Sequence, residues 1–294
     1  MEVIVARYAG FCPGVRRAVR MVEETLKASD RVFSLGPVIH NPQVVAELEA
    51  KGLRILPEDE GSWEAVGLRG ARVVVRSHGI PPSQSESLQR MGATLVDATC
   101  PTVKKAQRAA MRLVGEGYRL FVIGNADHPE VEAILGHVGG DAVVIKEIQE
   151  LKDWWEAWPR KIRKVGLIAQ TTVDLFMFRS LVDGLINEVP ELIREVMELK
   201  IINTLCRNTL SRQAEALQLA LASDLVVVVG GRNSSNTEFL RRICEMAGAR
   251  VFKVETAEEL DIPVSEGARK AAVLGGASTP LRMVEEVRDR LVSA

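Results

Sequence analysis

The chain has 294 residues, 47% hydrophobic and 26% charged, an ordinary globular usage that excludes a disordered or fibrous protein. A net charge of −1 leaves no global positive field to hold nucleic acid or an anionic membrane. At roughly 150 residues per domain the length points to two domains, with three small ones allowed. The four cysteines, Cys12, Cys100, Cys206 and Cys244, are too few for a disulfide scaffold and include no C-x-x-C pair.

Along the chain, a strand-like run, Val3-Ile4-Val5-Ala6, comes almost at once, with no basic and apolar leader before it. The most apolar run, Leu225 to Val229, is far below the ~18 residues of a membrane helix. These features predict a soluble, cytoplasmic protein whose thiols stay reduced.

Three segments repeat one pattern. Val3-Ile4-Val5-Ala6 leads to Cys12-Pro13 and then Val15, Ala18, Val19, Val22 and Leu26. Thr94-Leu95-Val96-Asp97 leads to Cys100-Pro101 and then Val103, Ala106, Ala109 and Leu113. Ile201-Ile202-Asn203 leads to Cys206 and then Leu210, Ala214, Leu217 and Leu221. Each is a β-type run, a cysteine, and an apolar series at helical spacing. The cysteines therefore stand at helix N-termini, and proline directly after two of them suits a first helical turn.

The register continues beyond these helices. Second β-type runs end at Gly36, Gly124 and Gly230, each 24 residues after its cysteine. Four residues further on stand His40, His128 and Ser234, each followed by a new amphipathic segment, 44–48, 131–135 and 239–243. A third run then leads to Ser77-His78-Gly79, Gln170-Thr171-Thr172 and Gly276-Ala277-Ser278. The pattern predicts α/β architecture in three pseudo-symmetric βαβ-type units with mostly parallel sheets. Residues 1–13 form an N-terminal strand and the first candidate ligand, followed by units 14–99, 100–205 and 206–294, the last with the C-terminal helix. The last unit lacks a following strand of the kind that precedes each cysteine. Parallel sheets bind ligands beyond the carboxyl ends of their strands, where all three cysteines fall. Packed around a pseudo-threefold axis as a trefoil, the units would converge their loops on one central cleft.

Three converging cysteines suggest a metal site, because the helix dipole and free N–H groups favour a thiolate at a helix start. Zinc would need a fourth ligand, such as a loop histidine. An iron–sulfur cube ordinarily takes four cysteines, and with three it keeps one iron open. Cys244 lies on an apolar helix face, Phe239-Leu240-x-x-Ile243-Cys244-x-x-Ala247, and reads as a buried free thiol.

His40, His78, His128, Ser234, Ser235, Asn236 and Ser278, with backbone N–H groups at helix starts, suit an array for phosphate oxygens. Taken singly, such residues are also common helix caps. No P-loop or dinucleotide glycine fingerprint occurs at a suitable turn. Glu130, two residues after His128, could hold a proton for delivery if shielded from water, or could simply complement the helix dipole. Thr171 could orient that proton or a substrate hydroxyl. His137 lies outside the repeat register and reads as a surface or packing residue. Leu151, Trp154, Trp155 and Trp158 share one helix face and read as packing. On these residues two metal centres remain open: zinc, which would suit a hydrolase with a Cys3His site, and an iron–sulfur cube, which could pass electrons at its open iron or serve a non-catalytic redox sensor.

Several segments together, in this order, resemble a known family: Gly10-Phe11-Cys12-Pro13-Gly14-Val15, His40-Asn41, His78-Gly79, Asp97-Ala98-Thr99-Cys100-Pro101, His128-Pro129-Glu130-Val131-Glu132, Gln170-Thr171-Thr172, Asn233-Ser234-Ser235-Asn236 and Gly276-Ala277-Ser278. They are similar to those of the 4-hydroxy-3-methylbut-2-enyl diphosphate reductases, which perform the last step of the non-mevalonate isoprenoid pathway. The resemblance implies a trefoil around one [4Fe–4S] cluster held by Cys12, Cys100 and Cys206. It implies an allylic alcohol diphosphate whose hydroxyl meets the open iron. The diphosphate would lie among His40, His78, His128, Ser234, Ser235, Asn236 and Ser278. Glu130 would be the proton source, Thr171 would position the hydroxyl, and reduced ferredoxin or flavodoxin would supply electrons. Arg207, directly after Cys206, stands where relatives commonly have an aromatic or small residue.

Overall fold

Five helices begin at a proline, after Cys12, Asn41, Pro81, Cys100 and His128. The ring fixes φ for the first turn, and its missing N–H is no loss where no intrahelical acceptor exists. The β-branched runs between these starts have no such breakers and form strands.

The computed structural model describes residues 1–57, 59–158, 162–189, 194–260 and 267–293. Its first elements are β1 (Glu2–Val5), α1 (Pro13–Ala28), β2 (Val32–Leu35), α2 (Pro42–Ala50) and β3 (Leu53–Leu56). Next come α3 (Trp63–Val66), β4 (Arg72–Val75), α4 (Pro82–Arg90), β5 (Thr94–Asp97), α5 (Pro101–Gly115) and β6 (Arg119–Ile123). They are followed by α6 (Pro129–His137), β7 (Ala142–Ile145), α7 (Ile148–Ala157), β8 (Lys164–Ala169), α8 (Leu175–Asn187) and β9 (Glu198–Ile201). The last are α9 (Arg207–Leu221), β10 (Leu225–Val229), α10 (Ser235–Met246), β11 (Arg250–Val254), β12 (Lys270–Gly275) and α11 (Leu281–Ser293).

Two compact units result, one of Met1–Leu56 with Arg207–Ala294, the other of Pro57–Cys206. In the first, β1, β12, β10 and β11 form a parallel sheet in that order, and β2 pairs with β3 in parallel. In the second, β7, β6, β8 and β9 form a parallel sheet in that order, and β4 pairs with β5 in parallel. The α/β architecture with parallel sheets is the one that the repeat predicts.

Pairing supplies the last repeat with a strand from elsewhere in the chain. β5 lies beside β4 and β9 beside β8, each following its neighbour in sequence. Beside β12 the same place is taken by β1, from the other end of the sequence, with Val3 opposite Ala271 and Val5 opposite Val273.

Both faces of the β1–β12–β10–β11 sheet are covered. Val226 and Val228 face α9 and α10 together with Ala216, Leu240 and Cys244. Leu225, Val227 and Val229 face α11 with Val284, Val287 and Leu291. That is why β10 reads as a continuous apolar run rather than an alternating one. In the second unit, Leu113 of α5 and Ile134 of α6 pack on Leu120 and Val122 of β6. Leu151 is fully buried. Trp154 meets Phe121 edge-on at 4.9 Å and stacks on Trp158 at 4.7 Å, and the Arg119 guanidinium lies over both indoles. This tryptophan face is packing, as its spacing suggests. Among the described residues no helix is long and apolar enough to cross a membrane.

Candidate active site

Each repeat cysteine meets the loop after its neighbouring strand through the same hydrogen bond. Cys12 N–H donates to Ala277 O at 3.0 Å, Cys100 N–H to Ser77 O at 2.9 Å and Cys206 N–H to Thr171 O at 2.9 Å. Ala277, Ser77 and Thr171 each stand two residues beyond the end of β12, β4 and β8. Cys12 is the N-cap of α1, where its Sγ accepts the Val15 N–H at 3.4 Å, Cys100 is the N-cap of α5, and Cys206 directly precedes α9. None of the three is in a disulfide, and all are half-buried. Cys244 is the exception expected of it: it is fully buried, and burial pushes its thiol up to about 12, which keeps it protonated and unreactive.

In the second unit a continuous path joins two of these cysteines. Cys206 is bonded to Thr171, and Thr171 donates to Glu130 twice, N–H to Oε1 at 2.6 Å and Oγ1–H to Oε2 at 2.9 Å. Glu130 N–H donates to His128 Nδ1 at 3.1 Å, so His128 caps α6 and its neutral ring carries its proton on Nε2. The His128 ring meets His78 edge-on, with centroids 5.4 Å apart. His78 follows Ser77, whose carbonyl holds Cys100. Glu130 is 1% exposed. Burial raises its pKa, the two bonds from Thr171 lower it, and burial wins, leaving the carboxyl at about 7. It can therefore hold or release a proton near neutrality.

In the first unit Cys12, Ser278, His40 and Ser234 lie on neighbouring loops, with Ser235 and Asn236 at the start of α10. Gly276 N–H donates to Val229 O, which draws the Ser278 loop against the end of β10. A Cβ on Gly231 would sit 2.7 Å from His40 O, so the bare glycine lets the His40 and Ser234 loops meet. Ser234 caps α10, accepting the Thr237 N–H at 3.3 Å, and Ser235 beside it is exposed. The Asn236 side chain is 6% exposed, and neither Nδ2 nor Oδ1 has a hydrogen-bond partner among the described residues. A buried amide left unsatisfied is costly. At the start of a 12-residue helix it suits an anionic oxygen.

Two positions differ from the sequence reading. The cap of α2 is Asn41, whose Oδ1 accepts the Val44 N–H at 2.9 Å. The counterpart of His128 and Ser234 is therefore Asn41 rather than His40, because the loop after Gly36 is one residue longer. Gln170, in sequence only part of the Gln170-Thr171-Thr172 motif, is buried, with Oε1 accepting the Asn125 N–H and Nε2 donating to Thr172 Oγ1. Its place directly before Thr171 was the available signal. His137 packs as expected, its Nδ1 2.7 Å from Ala133 O.

Parallel strands that set thiols, histidines and a proton-holding carboxyl at their carboxyl ends define an α/β enzyme scaffold. The LytB protein family model matches residues 3–292. The chain is 39% identical over 291 residues, 99% of its length and 97% of the relative's, to 4-hydroxy-3-methylbut-2-enyl diphosphate reductase of Geobacter sulfurreducens. It is 37% identical over 295 residues, 99% of its length and 96% of the relative's, to the reductase of the same name in Aquifex aeolicus. A solved (E)-4-hydroxy-3-methyl-but-2-enyl diphosphate reductase, described as the terminal enzyme of the non-mevalonate pathway, covers all of both chains at 38% identity and a TM-score of 0.71. The E-1-hydroxy-2-methyl-but-2-enyl-4-diphosphate reductase of Plasmodium falciparum, at 24% identity, covers 98% of this chain and 87% of its own with a TM-score of 0.87, a likeness of fold. The chain belongs to the LytB protein family and is an oxidoreductase.

Proposed function

We propose that this chain, a reductase of the LytB family, removes the hydroxyl of 4-hydroxy-3-methylbut-2-enyl diphosphate. The allylic C–O bond breaks, the oxygen leaves as water, and two electrons with two protons give isopentenyl and dimethylallyl diphosphates. The observation that carries this reading is the threefold hydrogen bond that gives Cys12, Cys100 and Cys206 one common position. Three half-buried cysteines outside any disulfide, in equivalent places, are a donor set suited to an iron–sulfur cluster. In this reading the three hold one [4Fe–4S] cluster. When bound, a cluster with three thiolate ligands supplies low-potential electrons and one iron with an open position.

The chain's own residues do the rest. Ser234, Ser235 and Asn236, with Ser278, His40, His78 and His128, bind the diphosphate. The buried Asn236 amide and the first N–H groups of α10 face its oxygens, and His128 donates from Nε2. Thr171 orients the substrate hydroxyl, and Glu130 supplies a proton to the departing oxygen from a carboxyl at about 7. The exterior electron donor is a reduced ferredoxin or flavodoxin.

Anaerobic turnover with a reduced low-potential dye tests this reading. The chain should consume the allylic alcohol diphosphate and form both products. Glu130→Gln should lower kcat by about 10²- to 10⁴-fold with iron content and KM unchanged. A near-normal rate in that variant would reduce Glu130 to a helix-start residue. Absence of turnover in a chain with its full cluster would remove the proposed reaction.

A further inference from the structure

The loops before the three cysteines are not shaped alike. Three residues ahead of Cys100, Asp97 Oδ1 accepts the Thr99 N–H at 2.9 Å. Three residues ahead of Cys206, Asn203 Oδ1 accepts the Leu205 N–H at 3.0 Å. These are Asx turns, which fix a loop locally. The same place before Cys12 is Ala9, which has no side-chain acceptor.

That loop is held from outside. Glu215 of α9 accepts the Arg7 N–H at 2.7 Å and the Tyr8 N–H at 2.9 Å. Arg212, one turn earlier and 6% exposed, donates to Gly10 O at 2.6 Å and to Gly275 O at 2.9 Å. Counting from each cysteine, the positions of Arg212 and Glu215 are Ala18 and Met21 in α1, and Ala106 and Ala109 in α5. Charge at both positions occurs in α9 alone, the helix against which the loop without an Asx turn lies.

We propose that Arg212 and Glu215 are positioning residues, a clamp on α9 that sets the Arg7–Cys12 loop and with it the Cys12 thiol. The need for it follows from topology. β5 follows β4 and β9 follows β8 as the next strand in sequence, whereas β1 pairs with β12 from the far end of the chain, so no short connection limits its loop. A guanidinium bridging two carbonyls replaces the missing local turn and ties the first thiol's loop to the helix that Cys206 precedes. The consequence for a cluster rests on the reading above; the clamp itself does not.

Hydrogen exchange on the full chain, with and without cluster, and iron release to a chelator test it. Arg212→Met should speed exchange of amides 7–12 and iron release by about tenfold or more, the loss expected from bonds to a charged group. Arg212→Lys, with an ammonium that reaches one carbonyl, should fall between. Leu240→Ala, in the core of the same unit, should lower the thermal midpoint without loosening amides 7–12 selectively. The clamp is overturned if Arg212→Met exchanges there as the parent does, or no faster than Leu240→Ala at a matched midpoint. If Arg212→Met fails to fold, Glu215→Gln must loosen the Arg7 and Tyr8 amides, and their unchanged protection would equally overturn it. A parent chain that takes up no iron but shows the exchange pattern keeps the clamp and refutes the cluster.

Discussion

Glu130 is a carboxyl on which opposing effects can be weighed. Burial disfavours its charge, two hydrogen bonds from Thr171 favour it, and the balance leaves it at about 7. Such a group binds its proton more tightly folded than unfolded. Its contribution to stability is thus full below the unfolded carboxylate value and lost as pH rises through about 7. The swing is on the order of 3 kcal/mol. Thermal unfolding of the parent and of Glu130→Gln should therefore converge near pH 4.5, with the variant gaining relative stability by pH 8. A constant difference between the two would show a carboxyl with an ordinary pKa. Sequence gave the position of Glu130 beside His128, but its burial depends on Thr171 arriving from β8, which no local pattern encodes.

Among the elements, the three strand–cysteine–helix repeats were legible because their apolar periodicity and their 24-residue spacing to glycine survive divergence. Less legible were the loops, where a single extra residue after Gly36 moves the cap from His40 to Asn41 without disturbing either apolar pattern. The partner of β12 was equally hidden, since nothing in Val3 to Val5 says which strand lies beside it. Arg212 and Glu215 showed only as departures from alanine and methionine at repeat-equivalent positions. Close approach of loops explains one of the glycines. A Cβ on Gly124 would stand 2.9 Å from the Gln170 side chain and 3.1 Å from Val131. Gly124→Ala should therefore cost about 1–3 kcal/mol in denaturant unfolding, as overpacking does, and lower turnover by displacing Gln170 and its neighbour Thr171. Gly115→Ala, with nothing within 4 Å of the new methyl, should be tolerated. Equal behaviour of the two would mean that the β6 loop has room to spare.

Across the whole molecule the account rests on three cysteines acting together and a fourth standing apart. Cys244 is sealed in the core between α9, α10 and the sheet, while Cys12, Cys100 and Cys206 hold equivalent places in their repeats and remain half-exposed. The most direct test is iron and sulfide per chain after anaerobic purification, for the parent and for each cysteine replaced in turn. The account predicts about four irons per chain in the parent, as for a cube, and in Cys244→Ala, with loss of the intact cluster in Cys12→Ser, Cys100→Ser and Cys206→Ser. Zinc in place of iron, or a full cluster that survives replacement of any of those three, would contradict it.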